Sequence, residues 1–116
     1  MKNQPLQLLI TELKKTSIEK DVKLWKRIAT ELEGPTSRRR AVNLSRINKY
    51  SKANDTVIVP GKVLSMGDLN KKVTIAAYNF SKTAIQKINL SGSKAISIKE
   101  LVEQNPKASK VRIIGW

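Results

Sequence analysis

The hydrophobic period of this chain changes at Asp55, and that change does most to bound what the chain can fold into. Before it, apolar residues recur at helical spacing; after it, they come in short β-branched runs such as Thr56-Val57-Ile58-Val59. Apolar residues every three to four positions bury one stripe of a helix, whereas a compact Val and Ile run bounded by turn residues reads as a strand. The pattern predicts helices first and a mixed α/β core afterwards.

In the helical region, Leu6, Leu9, Ile10 and Leu13 fall on one face, with Asn3 available as a cap and Pro5 in the first turn, where its missing N–H costs nothing. This predicts a first helix over about 5–15. Thr16-Ser17-Ile18-Glu19 has the spacing of a capping box and predicts a second helix directly after it. Val22, Trp25, Ile28, Ala29 and Leu32 would form its buried stripe, and Glu33-Gly34-Pro35 would end it through a left-handed glycine. Residues 36–52 read as a short extended or turn segment and then a short helix, with Ala41, Val42, Leu44 and Ile47 turned toward the core.

After Asp55, the Thr56–Val59 strand meets Pro60-Gly61, which predicts a turn into a second strand, Lys62-Val63-Leu64-Ser65. Met66 to Lys72 is a loop by composition. Nothing charged falls within Val73-Thr74-Ile75-Ala76-Ala77-Tyr78, a strand buried on both faces. Ser81 caps a helix carrying Ala84, Ile85 and Ile88, which Ser91-Gly92 ends. Lys94-Ala95-Ile96-Ser97 is a strand, and Ser97 and Glu100 form a capping box with Ile96 and Leu101 as its staple. Asn105-Pro106 closes that helix, and Val111-Arg112-Ile113-Ile114 is a last strand. The fold class expected is α/β, a small sheet with an N-terminal helical pair. A chain of 116 residues suits one domain, 1–116, with a helical N-terminal region over 1–34, a basic segment over 35–52 and an α/β core over 53–116.

Charge then points to a partner. Lys and Arg number 23 against 9 acids, a net charge of +14, which costs self-repulsion unless a polyanion supplies the opposite sign. Residues 35–72 hold 9 basic and 2 acidic residues, against 7 and 5 in 1–34 and 7 and 2 in 73–116. Within that middle third, Arg38-Arg39-Arg40 is followed by Arg46, Lys49 and Lys52 at helical spacing with no acid between them. Forked guanidinium donors fit phosphate oxygens, and a run of them binds nucleic acid largely by releasing its counterions. Lys62, Lys71 and Lys72 mark a second contact area, where Gly61 and Gly67 would let backbone approach a phosphate. Lys82, Lys87, Lys94, Lys99, Lys107 and Lys110 are spread out as on any solvated surface.

Other classes fit less well. A membrane span needs about 20 consecutive apolar residues, and no run approaches that; the N-terminus also lacks a signal-peptide pattern, so a cytosolic protein is expected. The Asn-x-Ser/Thr sequons at Asn43, Asn54, Asn79 and Asn89 then carry no weight. With no cysteine and no histidine, disulfides, zinc fingers and the usual near-neutral acid–base side chain are excluded. Gly61-Lys62 fails as a phosphate-binding loop because Thr56 and Val63 stand where glycine and Ser/Thr are required. Asp55 and Asp68 sit where aspartate caps turns. No enzymatic activity, cofactor or small-molecule substrate is expected.

Trp25, Tyr50, Tyr78, Phe80 and Trp116 are too scattered for a single-strand stacking sheet; Trp25 and Tyr78 read as core, Tyr50 and Trp116 as candidates for contact. No long recognition helix fits a helix-turn-helix. Reading a folded RNA by shape and phosphate fits the pattern best; a free DNA-compacting, nucleoid-type protein is the alternative, although neither arms nor a groove-entering element is visible.

Four blocks carry a family likeness: Arg38-Arg39-Arg40-Ala41-Val42-Asn43-Leu44-Ser45-Arg46-Ile47, Val57-Ile58-Val59-Pro60-Gly61-Lys62-Val63-Leu64, Lys72-Val73-Thr74-Ile75-Ala76-Ala77 and Val111-Arg112-Ile113-Ile114-Gly115. Over almost its whole length the chain resembles the ribosomal protein L-eighteen-e family, the archaeal and eukaryotic relative of bacterial L-fifteen. The resemblance implies a protein of the large ribosomal subunit in the cytoplasm, bound to large-subunit rRNA beside neighbouring ribosomal proteins, with a core of irregular β-β-α turns. Without the basic extensions of eukaryotic members, the likeness implies an archaeal source. Carried onto this chain, the RNA-facing residues would be Arg38, Arg39, Arg40, Asn43, Ser45, Arg46, Lys49 and Lys62.

Overall fold

The computed structural model describes residues 4–34 and 40–114, with side chains from 6 and 41 onward in the two stretches. Helix α1 (Gln4–Lys20) buries Leu6, Ile10 and Leu13, but it does not stop at Thr16. No helix breaker precedes Thr16, and Lys15 pairs with Glu19 one turn on at 3.9 Å, so the capping-box residues stay inside a continuous helix. The corner comes at Asp21, whose φ of 53° is left-handed, and the Val22 N–H donates to the Ser17 carbonyl at 3.0 Å. Helix α2 (Lys23–Glu33) starts without a side-chain cap and buries Trp25, Ile28, Ala29 and Leu32 completely. Gly34 ends it in an extended conformation, φ −66° and ψ 169°, rather than the left-handed one expected. The proline that follows explains this, because its ring pushes the preceding residue out of helical space. Lys14 and Glu33, 2.7 Å apart, join the two helices at the surface.

The extended segment before the short helix is a true strand, β1 (Arg40–Asn43), which runs straight into α3 (Leu44–Tyr50). The turn expected at Pro60-Gly61 does not form. One strand, β2 (Thr56–Leu64), passes through both residues. Its ladder to β3 (Thr74–Phe80) pairs Val59 with Ala77 and resumes at Lys62 with Asn79, a register shift across Pro60. On its other edge, β5 (Val111–Ile113) pairs with 56–58 and β1 with 61–64. Pro60 therefore falls in the seam between ladders, where no partner needs the N–H it lacks.

Every pairing is parallel, in the order β1-β2-β3-β4 with β5 also on β2; β4 (Lys94–Ser97) pairs only with β3. The sheet separates two cores. Leu44 and Ile47 of α3, with Ala84 and Ile88 of α4 (Lys82–Leu90), pack on Val57, Val59, Val63, Ile75 and Ala77. The helical pair and α5 (Ile98–Gln104) pack around Ile58 and Ala76. Both helices after β3 start as expected: Ser81 accepts from the Ala84 N–H and Ser97 from the Glu100 N–H, each at 3.1 Å. Trp25 is fully buried and its indole N–H donates to the Pro106 carbonyl at 2.7 Å, tying α2 to the turn after α5.

Candidate nucleic-acid interface

The site grows out of an unusual connection. Parallel strands are ordinarily joined through a helix of a dozen residues or more, yet β2 and β3 are joined by 65–73 with no helix in it. From Leu64 the chain must return to the level of Thr56, which faces Thr74. Eight strand steps are about 26 Å, and the ten steps from Leu64 to Thr74 reach at most about 36 Å when fully drawn out. The connection is therefore nearly taut and has no hydrogen bonds of its own to spare.

Its polar groups are taken up from both neighbouring helices. The Met66 carbonyl accepts from the Ser45 N–H at 3.0 Å, and the Met66 N–H donates to Asn43 Oδ1 at 3.2 Å. Further along, the Asn70 N–H donates to Asn48 Oδ1 at 3.1 Å and the Lys72 carbonyl accepts from the Asn54 N–H at 2.7 Å. Residues 43–54 and 66–72 thus lie side by side in one direction. From α4, Lys87 Nζ donates to the carbonyls of Ser65 and Gly67 at 2.9 and 3.1 Å. Leu69 anchors the middle in the core. Gly67, with φ of 94°, lies so close to α3 that a Cβ there would come within 2.4 Å of Ser45 Cβ.

Expected contact residues fall into distinct groups on this frame. Arg38 and Arg39 lie outside the described residues, and of Arg40 only the backbone, paired with Gly61, is described. Arg46, Lys49 and Lys52 are exposed along α3 and just past it. Lys62 is exposed on β2, between Ala41 on one side and Asn79 on the other. Lys72 is exposed where β3 begins. Among the described residues, no ion pair takes up any of these five cations. Lys71 differs: half-buried, its Nζ donates to the Asn48 and Ser51 carbonyls, both at 2.6 Å, and so caps the last turn of α3. Asn43 and Ser45 are likewise occupied in holding Met66.

The fold also brings in residues that the sequence leaves scattered. Lys94, exposed, donates its backbone N–H to the Val73 carbonyl at 3.0 Å, so Lys52, Lys72 and Lys94 share the end of the sheet where the strands start. Arg112 lies there too, opposite Val57, and reaches Asp55 Oδ2 at 3.4 Å. Asp55 Oδ2 also accepts from the Lys52 N–H at 2.8 Å, so this acid caps a turn, as its position implied. Only the pairing register could have placed Lys94 beside Lys72; no local pattern marks it.

The result is a mixed α/β domain with a cationic edge formed by α3, the taut connection and the strand starts. A family model described as ribosomal proteins 50S-L15 and 50S-L18e with their 60S counterpart matches residues 21–96, and the chain belongs to this family. It is 46% identical over 112 residues to the large ribosomal subunit protein eL18 of Methanosphaerula palustris, covering 97% of this chain and 93% of that protein. The eL18 of Methanothermobacter thermautotrophicus is 42% identical with the same coverage, and that of Halobacterium salinarum 45% over 94% of this chain and 93% of its own length.

Proposed function

We propose that this chain, acting as one domain over 1–116, is a structural constituent of the large subunit of the cytoplasmic ribosome that binds and packs large-subunit rRNA, without catalysis. The single observation that carries the reading is the fixed edge on which Arg46, Lys49, Lys52, Lys62 and Lys72 stand exposed with no acid paired to them among the described residues. Rigidly displayed cations suit phosphates already fixed in a folded RNA. Arg38, Arg39 and Arg40 extend the edge, while Asn43, Ser45 and Lys71 hold its backbone in place; Lys71 keeps one N–H for a phosphate. Neighbouring large-subunit proteins would adjoin it. Family membership and relatives named as ribosomal proteins support this reading over the DNA-compacting alternative, which no observation favours.

The test is binding of large-subunit rRNA across a salt series. With 6–10 phosphates engaged, affinity should fall by about 10³–10⁵ between 50 and 200 mM salt. Replacing Arg38, Arg39 and Arg40 by alanine should weaken binding and leave the thermal midpoint in place. Unchanged binding would refute the assignment of those arginines, and sedimentation of the tagged chain away from large subunits would refute the ribosomal reading itself.

A further inference from the structure

Tyr50 ends α3 with its side chain 51% exposed, while Leu44 and Ile47 of the same helix are completely buried. The ring belongs to neither core. Arg46 and Lys49 bring their charges to 5.7 and 5.4 Å from its centroid, the outer part of the range in which a cation is held by a ring face. Beneath the ring the backbone is unusually fixed. Ser51 Oγ donates to the Ile47 carbonyl at 2.6 Å, and Lys71 Nζ donates to the carbonyls of Asn48 and Ser51, on either side of Tyr50. A solvated aromatic has no use for so rigid a seat, whereas a surface that receives a flat partner does.

We propose that Tyr50 is the stacking platform for one unpaired RNA base, with Arg46 and Lys49 released from the ring onto the phosphates that flank it. The inference rests on the RNA-binding reading and adds a ligand class to it. Bases inside a duplex hide their faces against one another, so the partner is a nucleotide turned out of a loop, bulge or junction. Stacking on an aromatic ring tolerates any base, and cations beside the ring take the backbone.

Fluorescence anisotropy with two probes, a short oligoadenylate and an RNA duplex of equal length, tests this with the full chain. Tyr50→Ala should weaken oligoadenylate binding about tenfold, leave duplex binding unchanged, and keep the salt dependence of the wild type. Tyr50→Phe should bind both as the wild type does. A fluorescent adenine analogue within the oligomer should be quenched by the wild type and Tyr50→Phe but not by Tyr50→Ala. Because the ring lies outside both cores, the variants should fold, which the thermal midpoint checks. If the wild type binds the duplex with the expected salt dependence and Tyr50→Ala binds oligoadenylate undiminished, the stacking role alone falls. If Tyr50→Ala weakens both probes equally, stacking falls as well. If the wild type binds neither probe, the RNA-binding reading falls and takes this one with it.

Discussion

Two glycines and two neighbouring lysines show how little residue type alone says about role. Gly67 and Gly92 both have positive φ, 94° and 79°. A Cβ at Gly92 would meet only the flexible end of Lys72, 3.2 Å away, whereas at Gly67 it would lie 2.9 Å from the Ser45 backbone. Gly92→Ala should therefore cost about 1 kcal/mol, and Gly67→Ala, which must push the taut connection off α3, about 2–4 kcal/mol. Urea unfolding of both variants measures the difference. Lys71 and Lys72 divide in the same manner. Lys71→Met deprives two helix-end carbonyls of their donor and should lose about 1–3 kcal/mol of stability. Lys72→Met should stay within about 0.5 kcal/mol of the wild type, yet lower the slope of log affinity against log salt by about 1. Equal effects of the two on stability would remove Lys71 from its proposed supporting role.

Among the elements, helix starts discriminate most sharply. Ser97→Ala removes a cap in use and should cost about 1 kcal/mol; Thr16→Ala alters an unused one inside α1 and should change stability by no more than about 0.5 kcal/mol. Thermal or urea unfolding settles this, and a loss at Thr16 equal to that at Ser97 would mean α1 ends where the local pattern placed it. The contrast explains what could be read in advance. Ser81 and Ser97 follow strands, so the backbone is already extended and the cap operates; Thr16 follows a helix and nothing interrupts it. Helix stripes such as Trp25, Ile28 and Leu32 were legible because burial imposes a period. The passage of β2 through Pro60-Gly61 was not, since it depends on where β1, β3 and β5 lay their ladders. The cationic edge was legible in its arginines and in Lys49, Lys62 and Lys72; the tethering of Lys71 and the adjacency of Lys94 depend on contacts about 20 residues away along the chain.

At the scale of the molecule, charge is divided by the sheet. The helical pair, which holds five of the nine acids, packs on the face opposite α3 and α4. The remainder carries an excess of cations that repel one another when no polyanion is present. Its thermal midpoint should rise with sodium chloride, as the screening length falls from about 30 Å at 0.01 M to about 3 Å at 1 M. A midpoint that is flat or falling with salt would show that the excess charge costs the fold nothing.

One edge of β2 is divided between two partners, and β5 is translated after every other strand. Until it emerges from the exit tunnel, the nascent sheet keeps a bare row of peptide amides beside Ile58, open to zipping with a second unfinished copy. A polypeptide arrested before residue 111 should form insoluble aggregates where the finished one remains dispersed, making completion of synthesis a checkpoint on solubility.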